Sequence, residues 1–136
     1  AIHTRYDMLR AVMEGVVYSL RDCLDTLKGM GVTFETMYAC GGGGSSPIWR
    51  QMLADTYDCN VQTIASKEGP ALGAAILAGV AAGIYPNVQQ ACRDIIKTNP
   101  AQKPITENTM VYEKYYQLYR KLYPSLKDHF AALAGL

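Results

Sequence analysis

Tyr38, Ala39 and Cys40 lead into four consecutive glycines, Gly41, Gly42, Gly43 and Gly44, followed by Ser45, Ser46 and Pro47. No other stretch of the sequence is better suited to chemistry at the backbone. Glycines let main-chain N–H groups approach the oxygens of an anion closely, and a helix start behind them adds unpaired donors and a partial positive charge. A phosphate or a nucleotide sugar fits that description. The stretch lacks the GK[ST] of a P-loop and its lysine. It also misses GxGxxG spacing, because Ser46 stands where the last glycine would be, which argues against a dinucleotide-binding dehydrogenase. The plainer reading is a turn needing positive φ at several residues. Four glycines exceed what one turn needs, and each costs roughly 0.5 to 1 kcal/mol relative to alanine in regular structure.

The remaining candidates are weaker. Glu68, Gly69 and Pro70 either form a second wall of the same site or open a helix with a favourable acid. His3 and His129 lie at opposite ends of the chain without the serine, cysteine or carboxylate pattern of a triad, and both are expected to be exposed. Asp22 and Asp25 stand at helical spacing and read as a solvated face. Tyr112, Tyr115, Tyr116, Tyr119 and Tyr123 form a stripe at helical periodicity, and core or interface packing explains it better than base stacking. Cys23, Cys40, Cys59 and Cys92 include no CxxC pair and have no histidine at ligand spacing. They read as reduced, buried thiols of a cytoplasmic protein without a metal site.

The elements that must hold these residues follow from periodicity. Apolar residues from Tyr6 to Leu27 recur at three-and-four spacing and predict a long helix over 5–28, stopped by Gly29 and Gly31. A β-prone run over 36–40 precedes the glycines. Ser46 as N-cap and Pro47 at the first helical position start a helix that runs to about Tyr57, with Ile48, Trp49, Met52 and Leu53 on its buried face. A short strand over 61–64 then pairs in parallel with the first, since the intervening helix supplies the crossover. The helix from Pro70 is made of Ala, Gly and Leu on nearly every face and is expected to be buried against a sheet. Beyond it the sequence predicts a short helix over 87–96, a surface loop over 97–108 and a last helix over 110–133, kinked or divided by Pro124.

The chain has 136 residues, 49% hydrophobic and 18% charged, which suits one globular domain. A formal net charge of +1 gives no global field for nucleic acid or an anionic membrane. No apolar run is long enough for a confident bilayer span, and the first residues do not resemble a signal peptide. Ala1 is compatible with a processed start or with a piece cut from a longer protein. Two short parallel strands make a poor sheet, so the missing strands are expected outside the chain.

Three segments together resemble the FGGY family of carbohydrate kinases, most closely its xylulose-phosphorylating branch. Asp7, Met8, Ala11, Val12, Met13 and Glu14 are similar to the tail of the family's second signature. Gly41 to Gly43, Ser46, Trp49, Gln51, Ala54 and Asp55 resemble its GGG-x-x-S-x-x-W-x-Q-x-x-A-D segment, and Glu68 through Ala78 resemble its EG-x-ALGAA-x-LA helix. The resemblance implies an α/β fold, part of an actin-like (ribonuclease H-like) ATPase domain that is helix-rich with a short parallel strand pair. It implies that residues 1–136 are the C-terminal portion of the second, nucleotide-binding domain, the N-terminal sugar-binding domain being absent from this chain.

By the same resemblance the full-length protein transfers the γ-phosphoryl of ATP, with Mg2+, to a sugar hydroxyl, D-xylulose leading. Gly42, Gly43 and Ser46 then hold the nucleotide, with Gly41, Gly44 and Pro47 behind them and Gly69 closing the adenosine side. The catalytic aspartate and most sugar contacts would lie before this region, so no catalytic residue is assigned. The partners implied are ATP and a sugar, with no nucleic acid and no membrane, and a homodimer is left open. The alternative is a stand-alone actin-like module that binds nucleotide or protein without catalysis.

Overall fold

In the computed structural model, which describes residues 2–66 and 69–136, Thr4 starts the first helix, α1 (Arg5–Gly29), with a capping box. The Thr4 hydroxyl oxygen accepts from Asp7 N, and the Asp7 carboxylate accepts from Thr4 N at 2.7 Å. That backbone donor and the Thr4 hydroxyl, which lies 2.9 Å from the same Asp7 oxygen, hold the Asp7 carboxyl below its ordinary range. The helix ends through Gly31, whose φ of +87° an L side chain would resist.

β1 (Thr36–Tyr38) and β2 (Asn60–Gln62) pair in parallel with Met37 opposite Val61. Between them run α2 (Gly41–Gly44) and α3 (Pro47–Tyr57). The crossover is therefore the one the sequence predicts, except that the glycines themselves form a helical turn. The segment expected as a loop over 97–108 is a strap along β2. Val61 and Gln102 exchange backbone bonds of 2.9 and 2.8 Å, and Asn99 N donates to Thr63 O at 2.9 Å. This covers the open edge of β2, while Pro100 and Pro104 keep the strap from becoming a regular strand.

α4 (Gly69–Ala81) packs on α5 (Val88–Ile95), which Asn87 caps by accepting from Gln90 N at 2.8 Å. α4 is not the buried helix its composition predicts: Ile76 and Gly79 are buried, but Leu77 is 60% exposed. A two-stranded sheet offers no layer to cover it. Gly79 instead admits the ring of Tyr85, which would lie 3.2 Å from an added Cβ. α6 (Thr106–Ala134) begins four residues earlier than expected and is not divided at Pro124, where one intrahelical bond is lost on an exposed stretch.

The core joins Val17 and Leu24 of α1 to Met52, Leu53, Ala54 and Tyr57 of α3 and to Cys59 and Val61. Each large side chain buried there contributes about 1.5 to 3 kcal/mol. Ile48 was expected on this face but is 61% exposed. Much of the apolar face of α1 is also bare, Leu9 and Val12 among it. A second cluster sets Tyr18 against Tyr112 and Tyr116, so the tyrosine stripe packs as expected only in part, Tyr115 and Tyr123 being exposed. Asp22 and Asp25 are more than a solvated pair, because the buried Tyr116 hydroxyl lies 2.7 and 2.9 Å from them and donates to one at a time.

Asp55 holds α3 to the strap and to the start of α6. It is 2% exposed, its Oδ1 accepts from Gln51 Nε2 at 2.6 Å and from Ile105 N at 2.8 Å, and its Oδ2 accepts from Asn108 Nδ2 at 2.8 Å. Ile105 is the N-cap position of α6 and its own side chain cannot cap, so Asp55 places a negative charge at that helix start. Asp55→Ala takes the acceptor from Ile105 N and Asn108 Nδ2 and leaves Gln51 Nε2 with Lys103 O alone. Its expected cost is about 3 kcal/mol or more, read as a lower midpoint of urea unfolding with an unchanged slope.

Candidate nucleotide site

The glycine turn occupies the exit of β1. Cys40 is extended at the N-cap of α2, and Gly41 follows with φ +73°, so a left-handed residue turns the chain out of the strand. Gly41, Gly42 and Gly43 are exposed, and as members of a first helical turn their N–H groups have no intrahelical acceptor. Ser45 N and Ser46 N close the turn on Gly42 O and Gly43 O at 3.2 and 3.0 Å. Ser46 is the N-cap of α3, its Oγ accepting from Trp49 N at 3.3 Å, and Pro47 follows at the first helical position as predicted.

The four glycines have different reasons. A Cβ on Gly44 would lie 2.8 Å from Ala39 O, a backbone atom that cannot swing aside, and one on Gly43 would lie 3.2 Å from the indole Nε1 of Trp49. Gly41 needs its positive φ. Gly42 has neither reason: its φ is ordinary, and an added Cβ would meet nothing within 4 Å. In a helical turn that glycine costs about 1 kcal/mol relative to alanine with no return inside the described chain.

Gly69 opens α4, on the segment that follows β2. Because β1 and β2 are parallel and Tyr38 pairs with Gln62, the glycine turn and the segment leading to α4 leave the same end of the sheet, where ligands of open α/β sheets sit. Gly69 itself lines a separate apolar cleft of about 300 Å³ between α4 and α5, with Leu72, Ile76, Val88 and Cys92, and no glycine of residues 41–44 lines it. Glu68, read as part of the same wall, lies outside the described residues.

Two features escaped the sequence reading. Arg50 Nη1 donates to Gly44 O at 2.6 Å, tying α3 back to the glycine turn. A cleft of about 740 Å³ opens between α1 and α6, lined by His3, Asp7, Arg10, Glu14 and Tyr112. Its polar centre is Arg10, which donates to Glu14 at 2.8 Å and to the Tyr112 hydroxyl. Burial pushes the Tyr112 hydroxyl up, and the Arg10 guanidinium works against that shift. Arg10 and Tyr112 are too far apart in sequence for any local pattern to join them.

Of the cysteines expected to be buried, only Cys59 is; Cys92 is half-buried, while Cys23 and Cys40 are exposed because helix surface and loop offer no cover. His3 and His129 are exposed as expected. Among the described residues no group of three or more His, Cys, Asp or Glu could hold a metal ion, and no helix is long and apolar enough to cross a membrane. Asp55 cannot serve as a base, since both its oxygens are taken by donors that fix the fold.

Comparison with known proteins agrees with this architecture. Residues 2–82 match the model of the FGGY family of carbohydrate kinases, C-terminal domain. A xylulose kinase of Staphylococcus epidermidis is 34% identical over 126 residues, covering 93% of this chain and 25% of that protein. The L-xylulose/3-keto-L-gulonate kinase of Escherichia coli is 33% identical over 135 residues, covering 98% of this chain and 27% of that protein. The chain thus spans about a quarter of the length of these curated relatives. The crystal structure of ligand-bound xylulose kinase from Lactobacillus acidophilus superimposes with a TM-score of 0.88 over 97% of this chain and 27% of its own, at 23% identity, a likeness of fold. Helix-rich, with a short parallel strand pair of the actin-like ATPase kind, the chain belongs to the FGGY family of carbohydrate kinases.

Proposed function

We propose that the protein carrying this chain phosphorylates a sugar hydroxyl with Mg-ATP, D-xylulose being the acceptor, and that residues 1–136 are the C-terminal portion of its nucleotide-binding domain. Gly42 carries the reading. A glycine that is costly in its own turn, needs no special φ and would meet nothing within 4 Å if it carried a Cβ is accounted for by a ligand lying against its Cα. The exposed N–H groups of Gly41, Gly42 and Gly43 would then face phosphate or ribose oxygens, with Gly44, Ser46 and Pro47 fixing the turn from behind. Gly69 would approach the adenosine from the neighbouring strand exit.

Mg2+ would travel on the nucleotide's phosphates, as it does in kinase sites that use few protein ligands. ATP supplies the phosphoryl group, and this part of the fold supplies positioning, on which such transfer depends. The sugar contacts and the base would come from other parts of the protein, so residues 1–136 alone are expected to bind ATP weakly and to phosphorylate no sugar. The xylulose kinase relative supports D-xylulose, and the L-xylulose/3-keto-L-gulonate kinase, at nearly equal identity, makes acceptor choice a matter for assay.

The deciding experiment titrates ATP and sugar separately in the full protein. Gly43→Val, which pushes a branched side chain against Trp49, should weaken ATP at least tenfold, about 1.4 kcal/mol, and leave sugar affinity within twofold. An unchanged ATP dissociation constant would remove the loop from the nucleotide site. Cys40 gives an independent measure: a thiol reagent should label Cys40 and Cys23 without ligand, and saturating ATP should protect Cys40 alone. Gly42→Ala and Gly44→Ala separate fold from function. The first should keep or raise thermal stability while weakening ATP, and the second should lower stability through its contact with Ala39 O.

A further inference from the structure

We propose that Arg50 is a positioning residue for the nucleotide turn, an inference that rests on the nucleotide reading of that turn. Glycine is the poorest helix former after proline, so a turn of Gly41–Gly44 does not hold its shape by propensity. Its carbonyls must be satisfied from outside the ordinary helical ladder. Gly42 O and Gly43 O accept from Ser45 N and Ser46 N, in the next residues of the chain. Gly44 O accepts from Arg50 Nη1 at 2.6 Å, in a part-buried bond.

That bond does two things. It places a cationic donor on the last carbonyl of the turn, a charge-assisted bond stronger than a neutral one. It also fixes the turn to α3, which is itself immobilised: Gln51 donates to Lys103 O at 3.0 Å and Asp55 binds Ile105 N. Gly44 lies so near the Ala39 backbone that an added Cβ would stand 2.8 Å from the Ala39 carbonyl oxygen. Arg50 therefore holds the turn against the rigid part of the fold, and the exposed amides of Gly41, Gly42 and Gly43 are already ordered when the nucleotide arrives. Without Arg50 the ordering must be done at the moment of binding, at the expense of affinity.

The test uses Arg50→Gln and Arg50→Lys in the full protein, with Gly43→Val as reference. In Arg50→Gln, the amides of Ser45 and Ser46, which bond to Gly42 O and Gly43 O, should exchange hydrogen faster while those of Val17 and Met52 in the core do not change. The KM for ATP should rise about tenfold, with the KM for the sugar and kcat within twofold. Arg50→Lys, which keeps the charge and one donor, should recover most of the loss. An unchanged KM for ATP in Arg50→Gln, while Gly43→Val raises it, would overturn the role of Arg50 and leave the nucleotide turn standing. If neither variant changed ATP affinity, the nucleotide reading itself would fall, and this inference with it. Faster exchange throughout the core would overturn it as well, since Arg50 would then be a general stabiliser.

Discussion

The buried carboxylate of Asp55 is the constraint on which the other parts of the chain depend. α3 touches α1, β2, α2 and α6, and it is the helix from which the glycine turn projects. Apolar burial at Met52, Leu53 and Ala54 presses α3 onto α1 but does not fix its rotation or height. Asp55 does, because a carboxyl group at 2% exposure must keep its hydrogen-bond partners in place, and those come from α3, from the end of the strap at Ile105 and from the first turn of α6. One turn earlier, Gln51 extends the same seam by accepting from Gln102 Nε2 at 2.5 Å. Directional bonds on one side and non-directional packing on the other give α3 a single position.

The candidate site uses that position. A turn made of glycine is a poor structure and a good ligand surface, and the two properties have the same origin in the missing side chain. Its disorder is limited from two sides: Gly44 against the backbone of Ala39, and Arg50 from α3 onto the Gly44 carbonyl. The exposed face of the turn is left with N–H groups and no side chains, at the end of the parallel strands. The strap over residues 97–105 contributes at a distance, because it closes the edge of β2 and anchors the helix that anchors the turn.

The bare apolar faces belong to the same account. Leu9 and Val12 of α1, and Leu77 of α4, are exposed at 61%, 68% and 60%. These helices carry the periodicity of buried elements on a sheet of two strands. The chain covers about a quarter of the length of its curated relatives. Its helices are therefore more apolar than their surroundings here require, and for that reason composition misjudged the burial of α4 and of Ile48.

Local chemistry by itself determined much of this protein. The crossover between two parallel strands, Ser46 and Pro47 at the start of α3 and the short helix α5 all follow from residues within a few positions of one another, as does the family resemblance in three short segments. Tertiary structure alone decided the rest. The strap on β2, the joining of Arg10 to Tyr112 and of Tyr116 to Asp22 and Asp25, and the cleft that Gly69 shares with Val88 and Cys92 all depend on residues well apart in the chain. Nor could the sequence distinguish one glycine from the next. Gly41 is set by a dihedral, Gly43 by Trp49, Gly44 by Ala39 and Gly42 by nothing inside the described chain, because a missing Cβ has meaning only against the atoms it would have met.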